Sequence, residues 1–178
     1  MPAATTFLSG PELAERIRAA VPDAVEEVAE GWVYIRLDKL LEAARFLRAD
    51  RSVDARYLTA VSGVDRFDYF EMVYHLASLS HNHTMTLKVR ADHDNPEVPS
   101  VVSIWHGAHL QEREVYDLMG VRFSGHPNLK RMLLWEGFPG HPLRKDFMTL
   151  PGGVKPGLQR FPKEDPSQWG GEFRGDQD

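Results

Sequence analysis

Cysteine is absent from all 178 residues. That absence excludes disulfide frameworks, iron–sulfur ligation by this chain, thiol nucleophiles and thiolate zinc sites. It also fits a reducing compartment. Long apolar runs are missing too. No stretch approaches the ~18 consecutive apolar residues of a membrane-spanning helix, and runs such as Met132-Leu133-Leu134-Trp135 stop far short. The first ten residues carry no basic segment followed by an apolar core, so no signal peptide is expected. The expectation is a cytoplasmic chain that meets a membrane only through something else. Positive charge is not in excess: 21 Lys+Arg stand against 26 Asp+Glu, a net of −5. Such a chain is a poor binder of nucleic acid, whose affinity comes from phosphate neutralisation.

Familiar catalytic signatures are lacking as well. No Gly-x-Gly-x-x-Gly follows a strand, and no Gly-x-x-x-x-Gly-Lys-Ser/Thr occurs. Gly152-Gly153-Val154-Lys155 is the nearest mimic, but it lacks the hydroxyl and is flanked by prolines. No serine sits in a Gly-x-Ser-x-Gly elbow. The eight histidines include two close pairs, His106 with His109 and His81 with His83. Neither has the helical carboxylate partner of a His-Glu-x-x-His site. A metal centre would need three ligands converging from separate loops, so metal-assisted hydrolysis stands as an alternative from a different class.

What is present is an ordinary globular mix, 42% hydrophobic and 26% charged, long enough to bury a real core. Ser9-Gly10-Pro11-Glu12 has capping-box spacing and opens a helix with Leu13, Ile17, Ala20 and Val21 on one face. Residues 25–30 and 32–37 read as a hairpin around Gly31. Asp38 is placed to cap a second helix carrying Leu40, Leu41, Ala44 and Leu47. Strands are expected at 57–64, 67–78 and 84–91. In the last of these Met85, Leu87, Val89 and Ala91 alternate with Thr84, Thr86, Lys88 and Arg90, as a sheet with one buried face requires. Residues 101–105 read as a short apolar strand. A third helix spans about 108–119 and stops at Gly120. Helices and strands are segregated, so the expectation is an α+β domain over residues 1–150, with a mixed, largely antiparallel sheet packed against helices. Residues 148–178 hold four Pro and six Gly, a linker-like composition. An extended arm over 151–178 is expected, with Leu158, Phe161, Trp169 and Phe173 as anchors on a partner.

Two features concentrate charge. On the third helix Ala108, Val115, Leu118 and Met119 share a face at 100° per residue, and Glu112 falls about 60° from Val115. Arg113 and Asp117 are expected to point away as a solvated i, i+4 pair. In a functional reading, Glu112 or Glu114 is held by a buried arginine or a partner subunit. Beyond the helix come Gly125-His126-Pro127 and Gly140-His141-Pro142, with Asn128-Leu129-Lys130-Arg131 following the first. Proline restricts each preceding histidine to extended backbone, which makes both triplets rigid turns. Irregular backbone carrying apolar residues and cations suits a surface laid against another protein.

The string Glu112-Arg113-Glu114-Val115-Tyr116-Asp117-Leu118-Met119-Gly120-Val121-Arg122-Phe123-Ser124-Gly125-His126-Pro127 resembles the hallmark of the C subunit of respiratory complex I, the proton-pumping NADH–quinone oxidoreductase. So does Gly140-His141-Pro142-Leu143-Arg144-Lys145-Asp146-Phe147. The match is dense over residues 105–147. The resemblance implies a peripheral-arm subunit on the cytoplasmic side of the inner membrane that holds no redox centre, with FMN, iron–sulfur clusters and quinone in its partners. Those partners would be chiefly the large quinone-site subunit (D type) and the iron–sulfur subunit next to it (B type). Related membrane-bound hydrogenases carry similar domains. Glu112, Arg113 and Asp117, with Arg144, Lys145 and Asp146, are expected at or beside an intersubunit contact. A free adaptor that binds peptides at a sheet edge is the remaining alternative.

Overall fold

Three long β-strands organise the chain: β4 (Tyr57–Asp65), β5 (Tyr69–Ser78) and β6 (His83–Asp92) run antiparallel as a meander, with one register shift in β4 between Leu58 and Ala60. The computed structural model describes residues 4–147, so the expected arm and its four anchors lie outside the described residues. Around the meander, β1 (Thr6–Phe7) and β3 (Trp32–Ile35) both pair parallel with β6. The partner of β3 in its hairpin, β2 (Val25–Ala29), closes the sheet on that side. The order is β2-β3-β6-β5-β4, with β1 beside β6. The fold is α+β with a mixed, largely antiparallel sheet.

Alternation dictates which face is covered. Phe70, Met72, Tyr74 and Leu76 of β5 and Met85, Leu87, Val89 and Ala91 of β6 are buried. Packed on the sheet are α1 (Gly10–Ala20), from which Leu13, Ala14 and Ile17 are buried, and α2 (Leu40–Ala49), which contributes Leu40, Ala43, Ala44 and Leu47. Ser9 caps α1 by accepting the Glu12 N–H, as its spacing predicts. Gly10 is there because a Cβ would lie 1.8 Å from the Ala29 carbonyl oxygen. Ala20, expected on the apolar face of α1, is instead exposed.

Two local expectations fail. Asp38 does not cap α2. It lies in a 3₁₀ turn (Leu37–Lys39) and binds the Arg36 guanidinium through both oxygens at 2.9 and 3.0 Å. A neighbouring cation outcompetes the backbone N–H groups for the carboxylate. Residues 101–105 are a turn rather than a strand: the Val101 carbonyl accepts the N–H groups of Ile104 and Trp105. Their apolar side chains are buried all the same, which is what the composition registered. The pairing in this region is made by β7 (Glu97–Pro99) with β8 (Arg122–Ser124), a parallel pair on either side of α3 (Ala108–Met119).

Helix α3 packs on β4, where Gly63 leaves room for Val115 and Met119. The Gln111 amide oxygen accepts the Val61 N–H of β4 at 2.5 Å. Trp105 donates its indole N–H to the Ala55 carbonyl at 2.9 Å, tying the 101–105 turn to the chain just before β4.

Candidate functional site

The charged motif on α3 has two carboxylates with no exposed surface, Glu112 and Asp117. They face different neighbours. Glu112 Oε2 accepts the Ser100 hydroxyl at 2.6 Å, and Oε1 accepts the Val101 N–H at 2.8 Å. Thus Glu112 holds the 101–105 turn against α3, and among the described residues neither an arginine nor any other cation is its partner. Burial without a counter-ion pushes its pKa up to about 7, although the Ser100 and Val101 hydrogen bonds pull the other way. Among the described residues, the hydroxyl of buried Tyr74 has no hydrogen-bond partner. Burial, followed by the charge of Glu112, raises its pKa well above the usual phenol value.

Asp117 is not the solvated partner of Arg113 that helical spacing suggested. Its Oδ2 accepts three successive backbone N–H groups, of Met132, Leu133 and Leu134, at 2.9, 2.8 and 3.0 Å. Its Oδ1 meets the Arg131 guanidinium at 3.0 Å. Burial alone would raise its pKa. The three N–H groups and Arg131 outweigh burial and hold the carboxyl below its ordinary value. Arg113 reaches the same segment, donating to the carbonyls of Lys130 and Arg131 at 3.0 and 3.1 Å. Arg131 in turn donates to the Gly140 carbonyl at 3.0 Å. The i, i+4 pair therefore clamps a loop, Asp117 by its N–H groups and Arg113 by its carbonyls.

The Gly-His-Pro triplets complete the anchorage. His126 Nδ1 accepts the Asn128 N–H at 3.0 Å, so Nε2 carries the proton donated to the His109 carbonyl, also at 3.0 Å. His141 donates from Nδ1 to the Asp117 carbonyl at 2.9 Å. Burial lowers both histidine pKa values, which favours these neutral forms. The His141 ring lies against Gly120, whose φ of +77° ends α3 in the left-handed region. A Cβ at Gly120 would stand 2.5 Å from His141 Cδ2. Gly125 and Gly140 also have positive φ, 80° and 105°. Pro127 is exposed, and Pro142 is half-buried.

Farther along, Arg144 donates to the His93 carbonyl at 3.0 Å, and its guanidinium sits 4.9 Å from the Phe70 ring centre. Arg144 also pairs with Asp146 at 3.9 Å. The Lys145 N–H donates to buried Asp65 at 3.0 Å, and the Lys145 ammonium lies over Phe67. Glu114 is exposed. Thus Glu112 acts on residues 100 and 101, and Arg113 and Asp117 act on residues 130–134. His126 and His141 tie their own segments to carbonyls of α3, where Gly120 makes room for His141, and Gly140 accepts from Arg131. Arg144 and Lys145 reach back to His93 and Asp65. Sequence reasoning missed Ser100 and Arg131. Arg131 was visible between the two triplets but had no assigned partner.

Chemically, the arrangement positions backbone. Among the described residues no three His, Asp or Glu side chains are grouped to hold a metal, and no helix is long and apolar enough to cross a membrane. The histidines meet in pairs, His81 with His83 and His109 with His126, at ring separations of 5.4 and 4.8 Å. The anchored loop turns Met132, Leu133 and Leu143 outward, each substantially exposed.

A sequence profile of the family described as respiratory-chain NADH dehydrogenase, 30 kDa subunit, matches residues 33–151. The chain belongs to that family. The C subunit of NADH-quinone oxidoreductase from Roseiflexus sp. (strain RS-1) is 45% identical over 139 residues, covering 74% of this chain and 80% of the relative. The subunit of the same name from Xanthobacter autotrophicus is 44% identical over 145 residues, or 78% and 69% of the two chains. Among solved structures, a trypsin-resistant fragment of Nqo5 is 28% identical with a TM-score of 0.54, covering 67% of this chain and 98% of its own. A chain of the archaeal membrane-bound sulfane sulfur reductase shares the fold, with a TM-score of 0.62 at 24% identity over 95% and 96% of the two chains. The profile covers all of the α3 motif and the loop it anchors, and the family is that of the C subunits of NADH-quinone oxidoreductase.

Proposed function

We propose that the chain is a non-redox structural subunit of the peripheral arm of NADH–quinone oxidoreductase, at the cytoplasmic side of the inner membrane. It docks chiefly on the large quinone-site subunit, with the neighbouring iron–sulfur subunit beside it, and supports electron transfer from NADH to quinone. FMN, iron–sulfur clusters and quinone reside in those partners. One observation carries this reading: the charged motif of α3 is consumed in holding an irregular loop whose Met132, Leu133 and Leu143 face outward. Such a rigid apolar presentation with a polar rim is the anatomy of a protein interface. Arg113 and Asp117 act from beneath that surface, Glu112 holds the 101–105 turn beside α3, and Arg144, Lys145 and Asp146 act at its margin.

Purification of the tagged chain from its own membranes in mild detergent tests this. Quinone-site and iron–sulfur subunits should copurify, and Arg144→Ala should lower the amount of complex recovered on a native gel. A chain that purifies alone would refute the proposal. Unchanged assembly with collapsed turnover in the variant would shift these residues from scaffolding to coupling.

A further inference from the structure

A second charged feature lies away from the α3 motif, at the C-terminal end of α2. Arg45 and Arg48 of α2, Arg56 just before β4, and Ser103 and Ile104 of the 101–105 turn line a cleft of about 410 Å³. The Arg56 guanidinium is paired with Asp54 at 2.6 Å, and the other Asp54 oxygen accepts the Ser80 hydroxyl. Among the described residues, no carboxylate lies within ion-pair distance of Arg45 or Arg48. Arg48 is nonetheless oriented, since it donates to the Ile104 carbonyl at the wall of the cleft. Three guanidinium groups against one carboxylate leave two positive charges concentrated on a chain whose net charge is −5.

The geometry points to this cleft as a docking socket for a carboxylate side chain on an acidic segment of a neighbouring subunit. This inference rests on the multisubunit reading above. The cations lining the cleft are all arginines, whose planar fork engages carboxylates through two parallel hydrogen bonds. Arginine and tyrosine are also the residues enriched at protein interfaces, and Tyr57, next to Arg56, is half exposed. Attraction to a lipid surface draws instead on clusters of about four to eight basic residues beside a membrane helix or on an amphipathic helix. Here three arginines line a concavity together with Ala49, Ser103 and Ile104, which suits one inserted side chain better than a plane of headgroups.

The test replaces Arg45 and Arg48 together, Arg45→Gln with Arg48→Gln, in the tagged full-length chain expressed in its own host. The single variant Arg45→Gln serves as a second reading, because the Arg45 side chain makes no hydrogen bond or ion pair among the described residues. In a salt series on the immobilised complex, the double variant should lose its partner subunits at a lower salt concentration. Retention near physiological salt should fall about ten-fold, and the single variant should move in the same direction. A photo-crosslinking residue at position 45 should attach to an acidic stretch of one partner subunit. Dissociation at the same salt as wild type by both variants would overturn the inference while leaving the proposed function intact. A wild-type chain that brings down no partner would overturn both. Arginine-dependent binding of the isolated chain to phosphatidylglycerol vesicles, with no protein crosslink, would reassign the cleft to lipid.

Discussion

Replacing Asp117 with alanine removes the acceptor for three backbone N–H groups and for Arg131 at once. Hydrogen bonds to a charged group contribute about 1.5–3 kcal/mol each, so simple addition over four gives about 6–12 kcal/mol. Addition overstates the loss. Arg131 has 22% of its side chain exposed, and the loop N–H groups can rehydrate once it lifts away. Breaking a buried ion pair from one side costs about 3–5 kcal/mol, and that is the expected range. For a chain of this size it corresponds to a fall in melting temperature of roughly 10 °C. Hydrogen exchange adds a local readout, because the amides of 132–134 should exchange much faster in Asp117→Ala than those of β5 and β6. Asp117→Asn retains one acceptor oxygen but turns an NH₂ group toward Arg131 or the loop, so an intermediate loss is expected. Protonation offers the same perturbation without mutation. The folded pKa of Asp117 is depressed, so its contribution is fully present above the unfolded value near 4 and is lost as pH falls through the folded one. If Asp117→Ala melts within a degree of wild type and the 132–134 amides stay protected, the carboxylate is not what holds the loop.

Glu112 should behave in the opposite sense. Its folded pKa near 7 lies above the ordinary 4.5, so between those values the folded chain binds the extra proton. Its stability should therefore decline as pH rises, by roughly 3 kcal/mol across the window. Glu112→Gln should flatten that slope in urea titrations at several pH values, and parallel curves for the two proteins would contradict the assignment. Gly120→Ala forces a side chain into left-handed backbone and into the His141 ring. A loss of about 1–3 kcal/mol and a displaced His141 imidazole resonance are expected. The isolated chain should show no visible absorbance and no NADH oxidation; a flavin or iron–sulfur band in its spectrum would oppose the non-redox proposal.

The sheet and helices were legible because their signals are periodic. Alternation in β6 and the Ala108–Met119 helix with its Gly120 stop can be read from local spacing alone. The anchored loop could not be, because its order comes from side chains distant in sequence. Asp117 looked solvated because nothing periodic announces that residues 131–134 fold over it. Glu112 sat on the shoulder of the apolar stripe, where helical angle does not decide between water and a buried turn. The 101–105 run showed that apolar composition encodes burial without encoding conformation. The β7–β8 pair, three residues a side, is too short for alternation to reveal.

The Gln111 contact with Val61 bears on the life of the chain before it finds its complex. Among the described residues β4 ends the sheet, and an uncovered terminal strand is a template for pairing with a second copy or with a stray peptide. By seating a side-chain amide on Val61 and packing α3 against β4, the chain obstructs strand-by-strand pairing at this border, while β2 ends the sheet on the other side. The same closure argues against peptide capture at this border. At this border, recognition is left to side-chain surfaces, which read a partner's shape and charge rather than its backbone.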